Sequence, residues 1–214
     1  MASILVVCTA NVCRSPYAEA LLTDYAARAG RSGVKIQSAG THAANGQSLC
    51  RGASALLRKG GVESGASKEH RSRKLELGLV RRAELILVAS LEHRSEIAYL
   101  DAAARRRTFT LREAAAYLGE LASRGRHAGG VPVGDASLFQ IVEAMNCLRG
   151  TVAIPEGSPM ALPALLSRGG PSAQRRLDIA DGHLQGPLHH KAALNQVRQA
   201  VGKIHLGLSA LGGY

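Results

Sequence analysis

Within sixteen residues an apolar run stops at a short polar turn, and the turn stops at a helix start. This commits the beginning of the chain to a strand–loop–helix unit. Ile4 to Val7 are four consecutive apolar residues, the pattern of a strand buried on both faces. The turn Cys8-Thr-Ala-Asn-Val-Cys-Arg14 follows, and Ser15 and Pro16 read as the N-cap and first position of a helix. Ala18, Leu21, Leu22, Tyr25 and Ala29 share one face of that helix, and Gly30 ends it.

The same alternation continues downstream. A second strand is expected at Val34–Gln37, ending in Ser38-Ala-Gly40, and a helix at Leu49–Lys59 closed by Gly60-Gly61. Ala83–Ala89 reads as a third buried strand, Glu92–Ala103 as a helix, Arg107–Thr110 as a short fourth strand and Leu111–Ser123 as another helix. Strands alternating with helices predict an α/β fold: three layers, with helices on both faces of a four-stranded parallel sheet. The stretch at about 123–176 is rich in Gly and Pro and reads as an irregular insertion in which only Leu138–Leu148 is helical. Roughly Leu188–Ile204 closes the chain as a helix. One domain over 1–214 accounts for all of this.

Composition narrows the partners. The net charge is +11, which suits either attraction to anionic partners or a solvated, Arg-rich surface. The basic groups RSRK, RR, RRR and RR are scattered and have no aromatics between them on which bases could stack, so no nucleic-acid partner is expected. No apolar run approaches the roughly 20 residues that cross a bilayer, so no membrane insertion is expected. The apolar start lacks a basic leader region and reads as a strand, not a signal peptide. The four cysteines, Cys8, Cys13, Cys50 and Cys147, form no CxxC pair and no zinc-type Cys/His spacing. Neither metal nor other cofactor is expected, and the setting that fits is a reducing cytoplasm.

The turn itself carries the chemistry. Cys8 lies where a strand ends and a helix begins, and inward amides and a helix N-terminus favour thiolate and anion alike. Arg14 at the mouth of the helix can grip two phosphate oxygens with its planar fork. The cysteine would then stand behind the phosphorus, in line with the leaving oxygen. A bare Cys-x5-Arg is a weak pattern, and its place between strand and helix strengthens it.

The segment VVCTANVCRSPYAEALL resembles the opening of the low-molecular-weight protein tyrosine phosphatases, with their CxxNxCRS signature and Pro-led helix. The resemblance continues through Ser38-Ala-Gly-Thr41, His70-Arg-Ser-Arg73, Glu92-His93 and Phe109-Thr-Leu-Arg-Glu113, and returns near 178–204. It implies a phosphate-binding loop of Thr9, Ala10, Asn11, Val12, Cys13 and Arg14. Cys8 would be the nucleophile, Arg14 the phosphoryl clamp and Ser15 the hydroxyl that helps the sulfur leave. Asn11 would adopt a left-handed backbone held by Ser38 and His70, although a His in a basic segment also suits a surface loop. Cys13 would either form a reversible disulfide with Cys8 or simply pack.

The resemblance also implies a general acid, an Asp on a late loop usually followed by Pro and aromatics. Asp178-Ile-Ala-Asp181-Gly182 fits that spacing with Gly in place of Pro, so Asp181 is the expected acid, with Asp178 and Asp135 as fallbacks. Gly182 suggests a less preorganised loop. In the family a bulky branched apolar residue at the position of Val12 goes with phosphotyrosine and Thr with phosphoarginine, so Val12 favours phosphotyrosine on a protein substrate unless it only packs. The rival readings are a phosphate-binding module with little catalysis, a phosphoarginine phosphatase, and an arsenate reductase. Arsenate reduction would need two further relay cysteines close in sequence, and Cys50 and Cys147 are far apart.

Overall fold

The computed structural model describes residues 2–31, 33–62, 69–125, 134–154, 177–183 and 185–214. Four strands, β1 (Ser3–Cys8), β2 (Lys35–Gly40), β3 (Leu85–Val88) and β4 (Thr108–Thr110), form one sheet in the order β2-β1-β3-β4. Every pairing is parallel. Because β2 lies on one side of β1 and β3 on the other, the chain reverses its winding direction at β1. Ligands of such sheets bind beyond the strand C-termini at that reversal point, which here is the turn after Cys8.

Alternate side chains of the sheet feed two cores. Ile4 and Val6 of β1, with Leu85 and Leu87 of β3 and Phe109 of β4, enter the larger core. It also takes buried residues from α1 (Arg14–Arg28), α2 (Arg51–Lys59), α5 (Leu111–Gly125), α6 (Leu138–Cys147) and α7 (Pro187–Leu211). Leu5, Val7, Ile86 and Val88 point the other way, onto Val80 of α3 (Leu77–Arg82), Ile97 of α4 (Leu91–Leu100) and Ala104 of the 3-10 helix Ala102–Arg107. The expected three-layer α/β sandwich is therefore present.

Several local expectations change. Helix α1 begins at Arg14 with Cys13 as its N-cap, and no side chain caps it. Ser15 is not the cap because its hydroxyl serves Cys8 and Asn11 instead. Pro16 falls within the first turn, where a missing N–H has no intrahelical partner to lose. The helix expected at Leu138–Leu148 is α6; Ser137 and Gln140 form a capping box that starts it, and Leu138, Ile141, Val142 and Met145 are buried in the larger core. The rest of the stretch read as irregular, at 126–133 and 155–176, lies outside the described residues. Helix α7 starts at Pro187 and runs to Leu211, beyond the expected end at Ile204, because its termination signal is Gly212 at φ +87°. Helix α3 was not expected; six residues are too few to show a period.

One glycine sets the level of the loop above the sheet. Gly40 ends β2 opposite Cys8, and a Cβ there would lie 2.5 Å from the Thr9 carbonyl oxygen and 2.8 Å from the Asn11 amide nitrogen. Gly40→Ala should therefore cost about 1–3 kcal/mol, the usual range for overpacking against unyielding backbone. Urea unfolding should show a lowered midpoint at unchanged slope; a midpoint equal to wild type would show that the loop has slack.

Candidate active site

The turn after β1 is shaped by where its carbonyls go. The Cys8 and Thr9 carbonyls accept from the Thr41 and His42 amides, Val12 from the Cys50 amide, and Cys13 from the Tyr17 amide. The Asn11 carbonyl accepts from His70 Nε2 at 2.8 Å, which makes Nε2 the protonated nitrogen of that ring. With these carbonyls bonded to groups outside the turn, a loop of this kind ahead of a helix N-terminus suits an anion.

Asn11 turns the loop, with φ at +54°, the one positive value at a non-glycine residue among those described. Its side-chain Nδ2 donates to Ser15 Oγ at 2.9 Å and Ser38 Oγ at 2.8 Å, and its Oδ1 accepts from the Arg73 backbone amide at 3.0 Å. Ser38 donates to Glu19, whose carboxyl is raised above the ordinary value by burial. Ser15 accepts from Asn11, and its own proton is within reach of Cys8 Sγ at 3.0 Å and of the Ala39 carbonyl at 3.4 Å. Ser38 and His70 thus both hydrogen-bond to Asn11, one at its side chain and one at its carbonyl.

Arg14 joins this loop to the late one. Its guanidinium is almost fully buried and donates through Nη1 to the Ile179 carbonyl at 3.0 Å, and through Nη2 to Thr9 Oγ1 at 3.1 Å and Asp181 Oδ2 at 2.6 Å. The late loop has anchors of its own. Asp178 Oδ1 accepts from the Leu91 amide at the start of α4, and the Ile179 amide donates to the Ala89 carbonyl just past β3. Asp178 is thereby an anchoring group, with its carboxyl raised by burial, whereas Asp181 keeps 43% of its side chain in solvent beside Arg14. Asp135 abuts Gly212 at the far end of α7, about 35 Å of helix away.

Residues 3–124, more than half of the chain, match the family described as low molecular weight phosphotyrosine protein phosphatase. The chain belongs to this family. It is 40% identical over 95 residues to "Probable low molecular weight protein-tyrosine-phosphatase EpsP" of Ralstonia solanacearum, a stretch covering 44% of this chain and 60% of that protein. It therefore spans less than two thirds of that relative's length. A protein-arginine-phosphatase of Geobacillus stearothermophilus is 36% identical over 110 residues, 51% of this chain and 69% of the relative. The structure of an arginine phosphatase from that organism has the same fold, with a TM-score of 0.59 and 23% identity over 97% of this chain and 93% of the other. So does the tyrosine phosphatase Wzb of Escherichia coli in complex with sulphate, at 0.58 and 22% over 96% and 97%.

This family member adds features that its sequence did not disclose. Gly182, read as a source of slack, is a point of close approach: a Cβ there would lie 2.4 Å from the His189 carbonyl oxygen. Cys13 does not merely face its own loop. Its sulfur lies 3.2 Å from His183 Nδ1, and Cys50 Sγ lies 3.5 Å from His190 Nε2. The four residues cluster, so the absence of a zinc-type spacing along the chain misjudged what folding brings together. The two neighbouring sulfurs act on one another: chiefly through Cys13 the Cys50 thiol is lowered to about 6, and chiefly through Cys50, with burial adding to it, the Cys13 thiol is raised. All four cysteines are free, Cys147 being exposed on α6.

His93 was likewise passed over as part of a motif. It is buried beside the clamp, with Nε2 3.0 Å from Thr9 Oγ1 and Nδ1 2.6 Å from Ser90 Oγ. Burial, with the Arg14 charge adding to it, lowers its pKa from 6.5 to about 4. The unfolded chain therefore binds a proton between about pH 6.5 and 4 that the folded chain refuses, so this contribution to stability is present at neutral pH and lost as pH falls through that window. His93→Gln should remove a difference of about 2–3 kcal/mol between pH 7 and pH 4.5. Urea unfolding of both proteins at the two pH values checks this; Glu19 and Asp178 are common to both and cancel. Parallel pH profiles would place the acid sensitivity elsewhere.

Proposed function

We propose that this chain is a cysteine-dependent phosphatase that hydrolyses phosphotyrosine-type monoesters on a protein substrate through a phosphocysteine intermediate. One observation carries the reading: Arg14 holds the loop of Cys8 and the carboxyl of Asp181 at a single guanidinium. A phosphoryl group on that guanidinium would stand between a nucleophile and an acid.

In the first step the Cys8 sulfur forms a bond to phosphorus as the bond to the leaving oxygen breaks, and Asp181 passes its proton to that oxygen. In the second, water attacks phosphorus, its proton goes to Asp181, and the sulfur leaves with the Ser15 hydroxyl donating to it. Arg14 and the loop amides carry the charge on the phosphoryl oxygens throughout. The step requires no metal. A reducing cytoplasm, where Cys8 stays a thiol, suits it. Val12 favours an aryl ester because its partly buried side chain continues the larger core toward the loop and offers an apolar contact but no hydrogen bond. Similarity to an arginine phosphatase makes phosphoarginine the substrate to exclude.

A second reading, phosphate binding with little turnover, is favoured by the 2.6 Å Arg14–Asp181 contact, in which the acid occupies a clamp nitrogen. Turnover of an aryl phosphate and of phosphotyrosine and phosphoarginine peptides, with vanadate as inhibitor, separates these readings. Cys8→Ser should reduce turnover to background while phosphate still binds. Asp181→Asn should lower kcat about 10²–10⁴-fold, and Asp178→Asn far less, because it loses an anchor and not a proton donor. Equal losses in the two Asp variants would exclude Asp181 as the acid, and wild-type turnover at background with tight vanadate binding would favour the binding module.

A further inference from the structure

Cys13, Cys50, His183 and His190 come from four places: the turn before α1, the residue before α2, the loop of Asp181, and the first turn of α7. One donor atom from each, two sulfurs and two imidazole nitrogens, lies within 4.8 Å of every other. The two histidine rings meet edge to face, with centroids 5.1 Å apart and planes at 79°, so their nitrogens approach from different directions. The sulfurs are buried and the histidines lie toward solvent, which leaves an entry path from that side.

The chemistry of the set is specific. Two thiols and two imidazoles are the donors of a closed, four-coordinate zinc site, with Zn–S about 2.3 Å and Zn–N about 2.0 Å. A tetrahedron of those dimensions separates its donors by about 3.3–3.8 Å. The 3.2 and 3.5 Å pairs are already at that spacing, and the widest pair must close by about 1 Å. Magnesium and calcium take oxygen donors and are poorly served here.

Two glycines give the cluster its room. A Cβ on Gly52 would lie 2.6 Å from Cε1 of the His190 ring. One on Gly182 would lie 2.7 Å from the His190 amide nitrogen and push the loop of His183 off α7. Side chains at either position would separate the ligands.

The geometry points to a structural zinc site at Cys13, Cys50, His183 and His190, in which the ion ties the Asp181 loop to the phosphate-binding turn. Both sulfurs bind as thiolates, any proton still on them passing to solvent, the imidazoles stay neutral, and the charges of ion and thiolates cancel. Nothing is oxidised. Cys13 precedes Arg14 directly and His183 follows Asp181 by two residues, so the ion braces both ends of the Arg14–Asp181 pair.

The test uses the full chain, purified under reductant and stripped with a chelator, then titrated with Zn2+ against a chromophoric competitor and, separately, with Co2+. One zinc per chain is expected, together with a rise of several degrees in Tm. The cobalt form should show thiolate-to-metal charge transfer and the intense visible bands of a tetrahedral ion. Cys50→Ser and His190→Asn should each weaken zinc binding roughly 100-fold or more and abolish the Tm rise, whereas Cys8→Ser should retain both. If Cys50→Ser fails to fold, His190→Asn, at the more accessible side, keeps the test decisive. Wild-type affinity in His190→Asn, absence of the thiolate bands, or a Cys13–Cys50 disulfide with no zinc uptake would each overturn the site. No readout depends on turnover, so failure here leaves the phosphatase reading standing.

Discussion

Arg14 places a permanent positive charge where only 5% of its surface meets solvent. A charge so buried must be met by carbonyls or anions, or the fold loses stability. Two of its partners come from the late loop, the Ile179 carbonyl and the Asp181 carboxylate, about 165 residues along the chain. The guanidinium thus supplies a reason for the late loop to lie over the early one. The fold supplies the rest of the fixation through Asp178 on the α4 amide and Ile179 on the end of β3.

What could be read from the sequence was what is local. Cys8, Asn11, Arg14 and Ser15 lie within eight residues, and the strand and helix that flank them announce themselves by an apolar run and a periodic face. The order of helices and strands followed from the same signals. The misreadings share a different cause, which is that a residue's use depends on what approaches it. Ser15-Pro16 has the form of a helix cap, yet the Ser hydroxyl is claimed by Cys8 and Asn11. Gly182 has the form of slack, yet the backbone of His189 occupies the space a side chain would need. Helix α6 is read correctly as a helix, and only packing shows that it belongs to the core.

The Cys/His cluster is the extreme case. Its hydrogen-bonded pairs are 170 and 140 residues apart, so no local spacing could have joined them. Its one trace in the sequence is indirect: Gly52 and Gly182 stand two residues after Cys50 and one before His183, where backbone and ring must approach closely.

On the proposed mechanism the proton donor is subject to opposing demands. Asp181 must be held near the leaving oxygen, yet Arg14 cannot give Nη2 fully to the carboxylate and also clamp two phosphoryl oxygens. An arriving phosphate dianion carries more charge than the carboxylate and meets the loop amides as well, so it takes the guanidinium. Asp181 is the partner able to yield, because nearly half of its side chain is already in solvent while Ile179 and Asp178 are pinned. The hydrogen bond from the His183 amide to Asp181 Oδ1 limits how far it swings. On the proposed mechanism, fixing His183 would therefore control the reach of the acid without holding the acid itself.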